Sequence, residues 1–120
     1  MTTFNAQAIE SEYGDEWDIV ADTYDILKQQ TPQRLTLLES AIADSNFGEI
    51  KLQAHTVKGS FRIFFAEKLI TLSATLETLG HEQKDLSDAD NLMAELRDEF
   101  EKFLGEFTVF ITGKVNAAWF

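Results

Sequence analysis

The chain of 120 residues contains no cysteine, which removes disulfides, thiolate zinc sites and catalytic thiols from consideration and suits a reducing compartment. Basic residues are scarce. Ten Lys and Arg stand against 21 Asp and Glu, for a net charge of -11. That balance excludes DNA, RNA and anionic membrane as partners, because those are held through dense Lys and Arg contacts with phosphates. No run approaches the roughly 18 apolar residues of a membrane-spanning helix. The opening Met-Thr-Thr-Phe-Asn also lacks the basic and apolar regions of a signal peptide. A cytoplasmic protein is expected, and the starting Met with no linker at either end favours a stand-alone one. There is no alternating strand pattern, internal repeat or low-complexity stretch.

The length fits one domain, residues 1–120, with a single core. Ten phenylalanines against two tyrosines point to an aromatic core. A short helix is expected from Phe4 to Tyr13, with Asn5 as N-cap and Gly14 as its stop. From Asp15 the apolar positions Trp17, Val20, Tyr24, Leu27, Leu35, Leu38 and Ile42 recur at helical spacing on both sides of Pro32. Proline removes a backbone donor and disfavours the helical region for Thr31. Two helices or one kinked helix are both open, and the second is favoured because the apolar face resumes without a loop-like insertion.

Asp44-Ser45-Asn46 offers N-caps for a helix running to about Phe64. Leu69, Leu72, Leu76 and Leu79 mark the next, closed by Gly80 at the C′ position. His81 to Ser87 reads as a loop with His81 as a plain surface residue, and no metal site is expected. Ser87 or Asp88 caps the last helix, which extends to about Val115. Its Met93, Leu96, Phe100, Phe103, Phe107 and Phe110 alternate by three and four, the spacing of a bundle seam. Gly113 marks fraying or the last turn, leaving Trp119 and Phe120 as a tail. The fold class is all-α: an up-down antiparallel four-helix bundle with a short additional N-terminal helix.

One stretch inverts the charge of the chain. Ile50 to Ala66 holds no acid and three bases. At about 100° per residue, Lys51, His55, Lys58 and Arg62 share one narrow stripe, while Ile50, Ala54, Val57, Phe61 and Phe64 share another face. One face packs and the other is presented. Gly59 breaks a good helical pattern at a cost of about 1 kcal/mol relative to alanine. Side chains on a helix lean toward its N-terminus, so the missing side chain at Gly59 leaves His55 uncovered and open to another protein. A lone helical histidine is ordinarily a surface residue without a role; Lys58 and Gly59 beside it reverse that weighing. Imidazole, with a pKa of about 6.5, is a nucleophile largely uncharged near neutral pH, and the neighbouring cations can offset charge on a group it acquires.

Ala54-His55-Thr56-Val57-Lys58-Gly59-Ser60, followed by Ala66, Leu69 and Leu76-Glu77, resembles the histidine-containing phosphotransfer (HPt) domain, whose signature is Ala-His-x-(Leu/Ile/Val)-Lys-Gly-(Ser/Ala). The likeness covers nearly the whole chain. It implies a phosphocarrier in a two-component phosphorelay, without an ATP site and so not an enzyme in its own right. His55 would exchange a phosphoryl group with aspartates of response-regulator receiver domains, fed by a hybrid sensor histidine kinase. Nε2 would attack, and Mg²⁺ and the aspartate would come from the receiver, so the chain itself needs no cofactor. The resemblance also implies that Glu77, 22 positions after the histidine, accepts a hydrogen bond from Nδ1; a solvated glutamate on a helix flank is the other reading. Lys51 and Arg62 are either phosphoryl-facing cations or solvated residues. Leu52 and Ile63 either form an apolar rim for a docked receiver or pack against a neighbouring helix.

Two positions depart from the family pattern. Phe61 stands where a small residue is usual, and Phe65 where a glycine usually ends the helix. A bulky residue enters the left-handed region at a cost, so a different turn is expected there. A monomer is expected. The rival from another class is a helical interaction module that binds and inhibits a receiver or kinase without being phosphorylated.

Overall fold

The computed structural model describes residues 3–118, with side chains to residue 115; the expected tail at Trp119 and Phe120 lies outside them. Five helices follow one another: α1 (Ala6–Tyr13), α2 (Trp17–Ala43), α3 (Phe47–Ile63), α4 (Glu67–Glu82) and α5 (Ala89–Ala118). The described residues form no strand, and none of their helices is long and apolar enough to cross a membrane.

The aromatic seam of α5 forms the middle of the core. Met93, Leu96, Phe100, Phe103, Phe107 and Phe110 are all buried, each large side chain worth about 1.5–3 kcal/mol on burial. Phe4, Tyr24 and Phe64 pack edge-on against rings of this row, at centroid distances of 4.9 Å for Phe4 with Phe107 and 5.0 Å for Phe64 with Phe107. Tyr24 also places its hydroxyl 3.0 Å from the Leu104 carbonyl and 2.7 Å from Thr108 Oγ1. Farther along the same pair of helices, Glu39 of α2 meets Arg97 of α5.

One unbroken helix runs through Pro32, as the continuous apolar face favoured. Val20, Tyr24, Leu27, Thr31, Leu35, Leu38 and Ile42 lie buried along it, while Pro32 itself faces solvent. At α1 the expected devices are present: Asn5 Oδ1 accepts the Ala8 N–H at 3.0 Å, and Gly14 turns the chain at φ 60°. The helix itself begins at Ala6.

Three expectations are corrected. Gly80 does not end its helix: α4 continues to Glu82, with Gln83 in the left-handed region at φ 51° as its cap. Gly80 is buried inside the helix because α3 comes so close that a Cβ there would stand 2.7 Å from the Lys51 backbone nitrogen and 2.8 Å from the Phe47 carbonyl oxygen. His81 is therefore in the last turn of α4 and not in a loop, which starts only after Glu82. Gly113 does not mark fraying or a last turn either, since α5 runs on to Ala118.

The turn between α3 and α4 also keeps the left-handed step that was expected to be avoided. Phe65 adopts φ 52° despite its bulk, at a cost of about 1–2 kcal/mol. Its carbonyl accepts the Asn5 N–H at 3.1 Å, and Tyr13 Oη donates to the Ile63 carbonyl at 2.7 Å. The N-terminal segment thus clamps this turn, and the half-buried Phe65 ring packs on the core while Phe64 and Phe61 are fully inside it.

Exposed Gln83 has no such packing to offset its φ. Gln83→Gly should raise stability by up to about 1 kcal/mol, read as a rise of a few degrees in Tm, whereas Phe65→Gly should gain less or lose stability because the ring goes with it. Phe107→Ala should cost about 3–5 kcal/mol, measured by denaturant unfolding.

Candidate functional site

The orientation of α3 is set by what it buries. Ile50, Ala54, Val57 and Phe61 have no exposed surface at all, and Asn46 Oδ1 caps the helix start by accepting the Glu49 N–H at 3.2 Å. With that face fixed inward, the opposite one must face out. His55 stands there with 66% of its side chain exposed. Opposite it, α4 is held by Leu69, Leu72 and Leu76, all buried, so Glu77 falls on the edge of α4 next to α3.

Glu77 joins two side chains of α3. Its Oε2 lies 2.7 Å from His55 Nδ1, and its Oε1 accepts a hydrogen bond from Lys58 Nζ. Lys58 and Glu77 are largely covered, at 13% and 18% side-chain exposure, so solvent screens this pair little. Burial alone would raise the Glu77 pKa, but the hydrogen bonds from Lys58 and His55, with their charge, outweigh it and hold the carboxyl below the usual carboxylate range. An ionised carboxylate accepts only. The proton of a neutral His55 ring is therefore on Nδ1, donating to Glu77, and the Nε2 lone pair is free.

The other residues singled out in the sequence fall around this pair. Lys51 and Arg62 are exposed, and among the described residues neither forms an ion pair with an acid, although seven of the other basic side chains do. Apart from its neighbours Lys58 and Ser60 and the helix's own backbone, no atom of the described residues lies within 4 Å of where a Cβ on Gly59 would stand. Leu52 and Ile63 are exposed, at 56% and 41%; they sit on one crest of α3, eleven residues or about 16 Å apart, with His55 between them. Leu52 lines a depression of about 320 Å³ with Gly48, Lys51, His55 and Glu77.

Two features were not foreseen. Ile63 shares a groove with Ile26 of α2, and Ile26 and Ile19 are both more than half exposed. Their seven-residue spacing, off the Val20–Tyr24–Leu27 face, was the available signal. The link between Lys58 and Glu77 was also missed, since it joins two helices whose separation no helical wheel contains.

A family model described as the Hpt domain matches residues 22–106, from α2 to the middle of α5, and so spans His55, Lys58 and Glu77. No curated protein and no solved structure matches the chain.

Because the pKa of Glu77 is lower folded than unfolded, its two hydrogen bonds add stability that is complete above the ordinary value of about 4.3 and is lost as pH falls through the folded one. Glu77→Gln should therefore show a shallower loss of thermal stability between about pH 5 and pH 3 than the parent. An identical acid limb in both proteins would mean that the carboxylate is not held in this way.

Proposed function

The chain belongs to the Hpt domain family, whose members carry phosphoryl groups between receiver domains and histidine kinases in two-component systems, and from that premise we propose that His55 is its phosphoryl-accepting residue. A receiver domain bearing an aspartyl phosphate docks over α3. The Nε2 lone pair attacks phosphorus, the acyl P–O bond breaks, and the aspartate leaves as a carboxylate while an Nε2–P bond forms. The Nδ1 proton stays on the ring, where the Glu77 carboxylate stabilises the positive charge that the ring acquires. A second receiver takes the group by the reverse of these steps. Mg²⁺ is contributed by the receiver, and the donor at the head of the relay is a hybrid sensor histidine kinase. The chain is a carrier in this reading, with no turnover chemistry of its own.

The observation that carries the reading is the exposed imidazole with Nδ1 tied to an ionised carboxylate. Four others support it. Lys51 and Arg62 keep their charge unmatched by any acid among the described residues, in a chain with an excess of acids, so they can face the phosphoryl oxygens, and the depression beside His55 has room for that group. Gly59 has nothing packed on it, which leaves the approach to the ring open. Leu52, Ile63 and the adjoining Ile26 give the receiver an apolar rim.

Residues 1–120 are taken as one helical domain, monomeric and cytoplasmic, with the four long helices as an up-down antiparallel bundle. Opposite chain sense is supported for α2 and α5 by Tyr24 meeting Leu104 while Glu39 meets Arg97, and for α3 and α4 by His55 meeting Glu77 while Lys51 lies against Gly80.

Incubation with a phosphorylated receiver should put acid-labile, base-stable label on the protein, and His55→Gln should abolish it while keeping the fold. Lys58→Ala should slow transfer without unfolding, because Glu77 loses one of the two donors that hold it. Gly59→Gln should block receiver docking, measured by titration calorimetry or pull-down. A receiver that binds the parent protein without ever labelling it would replace the carrier with an inhibitory interaction module.

A further inference from the structure

Of the glycines inside the long helices, Gly59, Gly105 and Gly113 have open space where a Cβ would be, and Gly48 has only a side-chain oxygen at 3.9 Å. Gly80 is different. A Cβ there would stand 2.7 Å from the Lys51 nitrogen, 2.8 Å from the Phe47 carbonyl oxygen and 3.1 Å from Ile50 Cγ2. Two of these three are backbone atoms, which cannot swing aside as a side chain can. Gly80 lies in the last turn of α4, and what the missing side chain allows here is contact between the backbones of α3 and α4.

We propose that Gly80 is a positioning residue for His55: the close crossing it permits brings the Glu77 carboxylate within reach of His55 and Lys58 together. The registers match. Gly80 lies over Lys51, and one turn earlier on α4 Glu77 lies over His55, itself one turn beyond Lys51 on α3. The two points on α4 are about 4.5 Å apart along its axis, so a helix displaced at Gly80 is displaced by nearly as much at Glu77. Bringing a Cβ on residue 80 to an ordinary 3.4 Å from the Lys51 nitrogen requires α4 to retreat by about 0.7 Å. A bond of 2.7 Å lengthened by that amount leaves the hydrogen-bonding range of about 2.7–3.2 Å. A different glutamate rotamer can follow one partner, but a carboxylate that grips donors on two successive turns of α3 cannot follow both.

The chemical consequence falls on the tautomer. Without an acceptor at Nδ1 the neutral ring is free to carry its proton on Nε2, the atom that must attack. The consequence for transfer rests on the function proposed above; the geometry and the tautomer do not.

The test uses the full chain with ¹⁵N-labelled histidine near pH 8, His81 being assigned with a His81→Asn control. The parent should show His55 protonated at Nδ1. Gly80→Ala should move proton population to Nε2 and slow transfer from a phosphorylated receiver to the rate of Glu77→Ala. The double variant should be no slower than Glu77→Ala alone, because the glycine acts through the carboxylate. A parent-like tautomer in folded Gly80→Ala, or losses that multiply in the double variant, would overturn the proposal.

Should circular dichroism show Gly80→Ala unfolded, Glu77→Asp puts the same question by withdrawing the carboxylate about 1.5 Å. Loss of the Nδ1–H tautomer there supports a reach set by the helix crossing; its retention shows slack in that reach and overturns the proposal. If the parent takes no label while the tautomer responds to Gly80→Ala, the carrier reading fails and the positioning role stands.

Discussion

The Glu77 carboxylate, held between two donors on successive turns of α3, is the contact on which the site depends. It fixes which ring nitrogen of His55 carries the proton, and it neutralises Lys58 at short range. Charge around the imidazole is thereby sorted into two zones. Lys58 and Glu77 form a covered pair behind the ring, whereas Lys51 and Arg62 are exposed and have no acid partner among the described residues. Lys51 precedes His55 by one turn and Arg62 follows it by two, so the two free cations flank the position that an incoming phosphoryl group would occupy. Lys58 acts from behind, holding the carboxylate that holds the ring.

Such an arrangement needs a helix that cannot roll. α3 is fixed by four residues with no exposed surface, Ile50, Ala54, Val57 and Phe61, and Phe61 meets Phe100 of the α5 seam at 6.0 Å. Its far end is clamped by α1 through Tyr13 and Asn5. The short helix thus has a mechanical role: it secures the one turn that places a bulky residue in the left-handed region, a step whose cost is local and whose compensation is tertiary. Because the packing that fixes α3 lies on the face opposite His55, changes to the presented side chains alter chemistry with little effect on the core.

Much of this was legible in the sequence. The three-and-four spacing of α5, the leucines of α4 and the apolar face that continues past Pro32 all specify burial, because helical periodicity is local information. The stripe of Lys51, His55 and Arg62 could be read for the same reason, whereas Lys58, expected beside them on the presented face, is covered because Glu77 of α4 draws it in; the family resemblance supplied the pairing of Glu77 with Nδ1. What could not be read depends on the distance between helices. A glycine after a leucine row looks the same whether it ends a helix or lets another pass close by, and only the position of α3 tells the two apart. Phe65 differs on similar grounds: the local steric rule says nothing of a residue held by Asn5, sixty positions away.

Gly59 and Gly80 then follow opposite logic in one site. Gly59 lowers intrinsic helix stability by about 1 kcal/mol, and Gly80, in the last turn of α4, by less. At Gly59 the space stays empty, as it does at Gly105 and Gly113, and under the function proposed above its value lies in what approaches His55 from outside. At Gly80 the space is filled by the backbone of α3, so its value lies in how closely two helices meet. An alanine at the first position would leave the helix pair unchanged and alter only the surface near His55; at the second it would leave that surface unchanged and move Glu77. On these two proposals, access to the imidazole and the state of the imidazole are governed by separate residues, and each can change without the other.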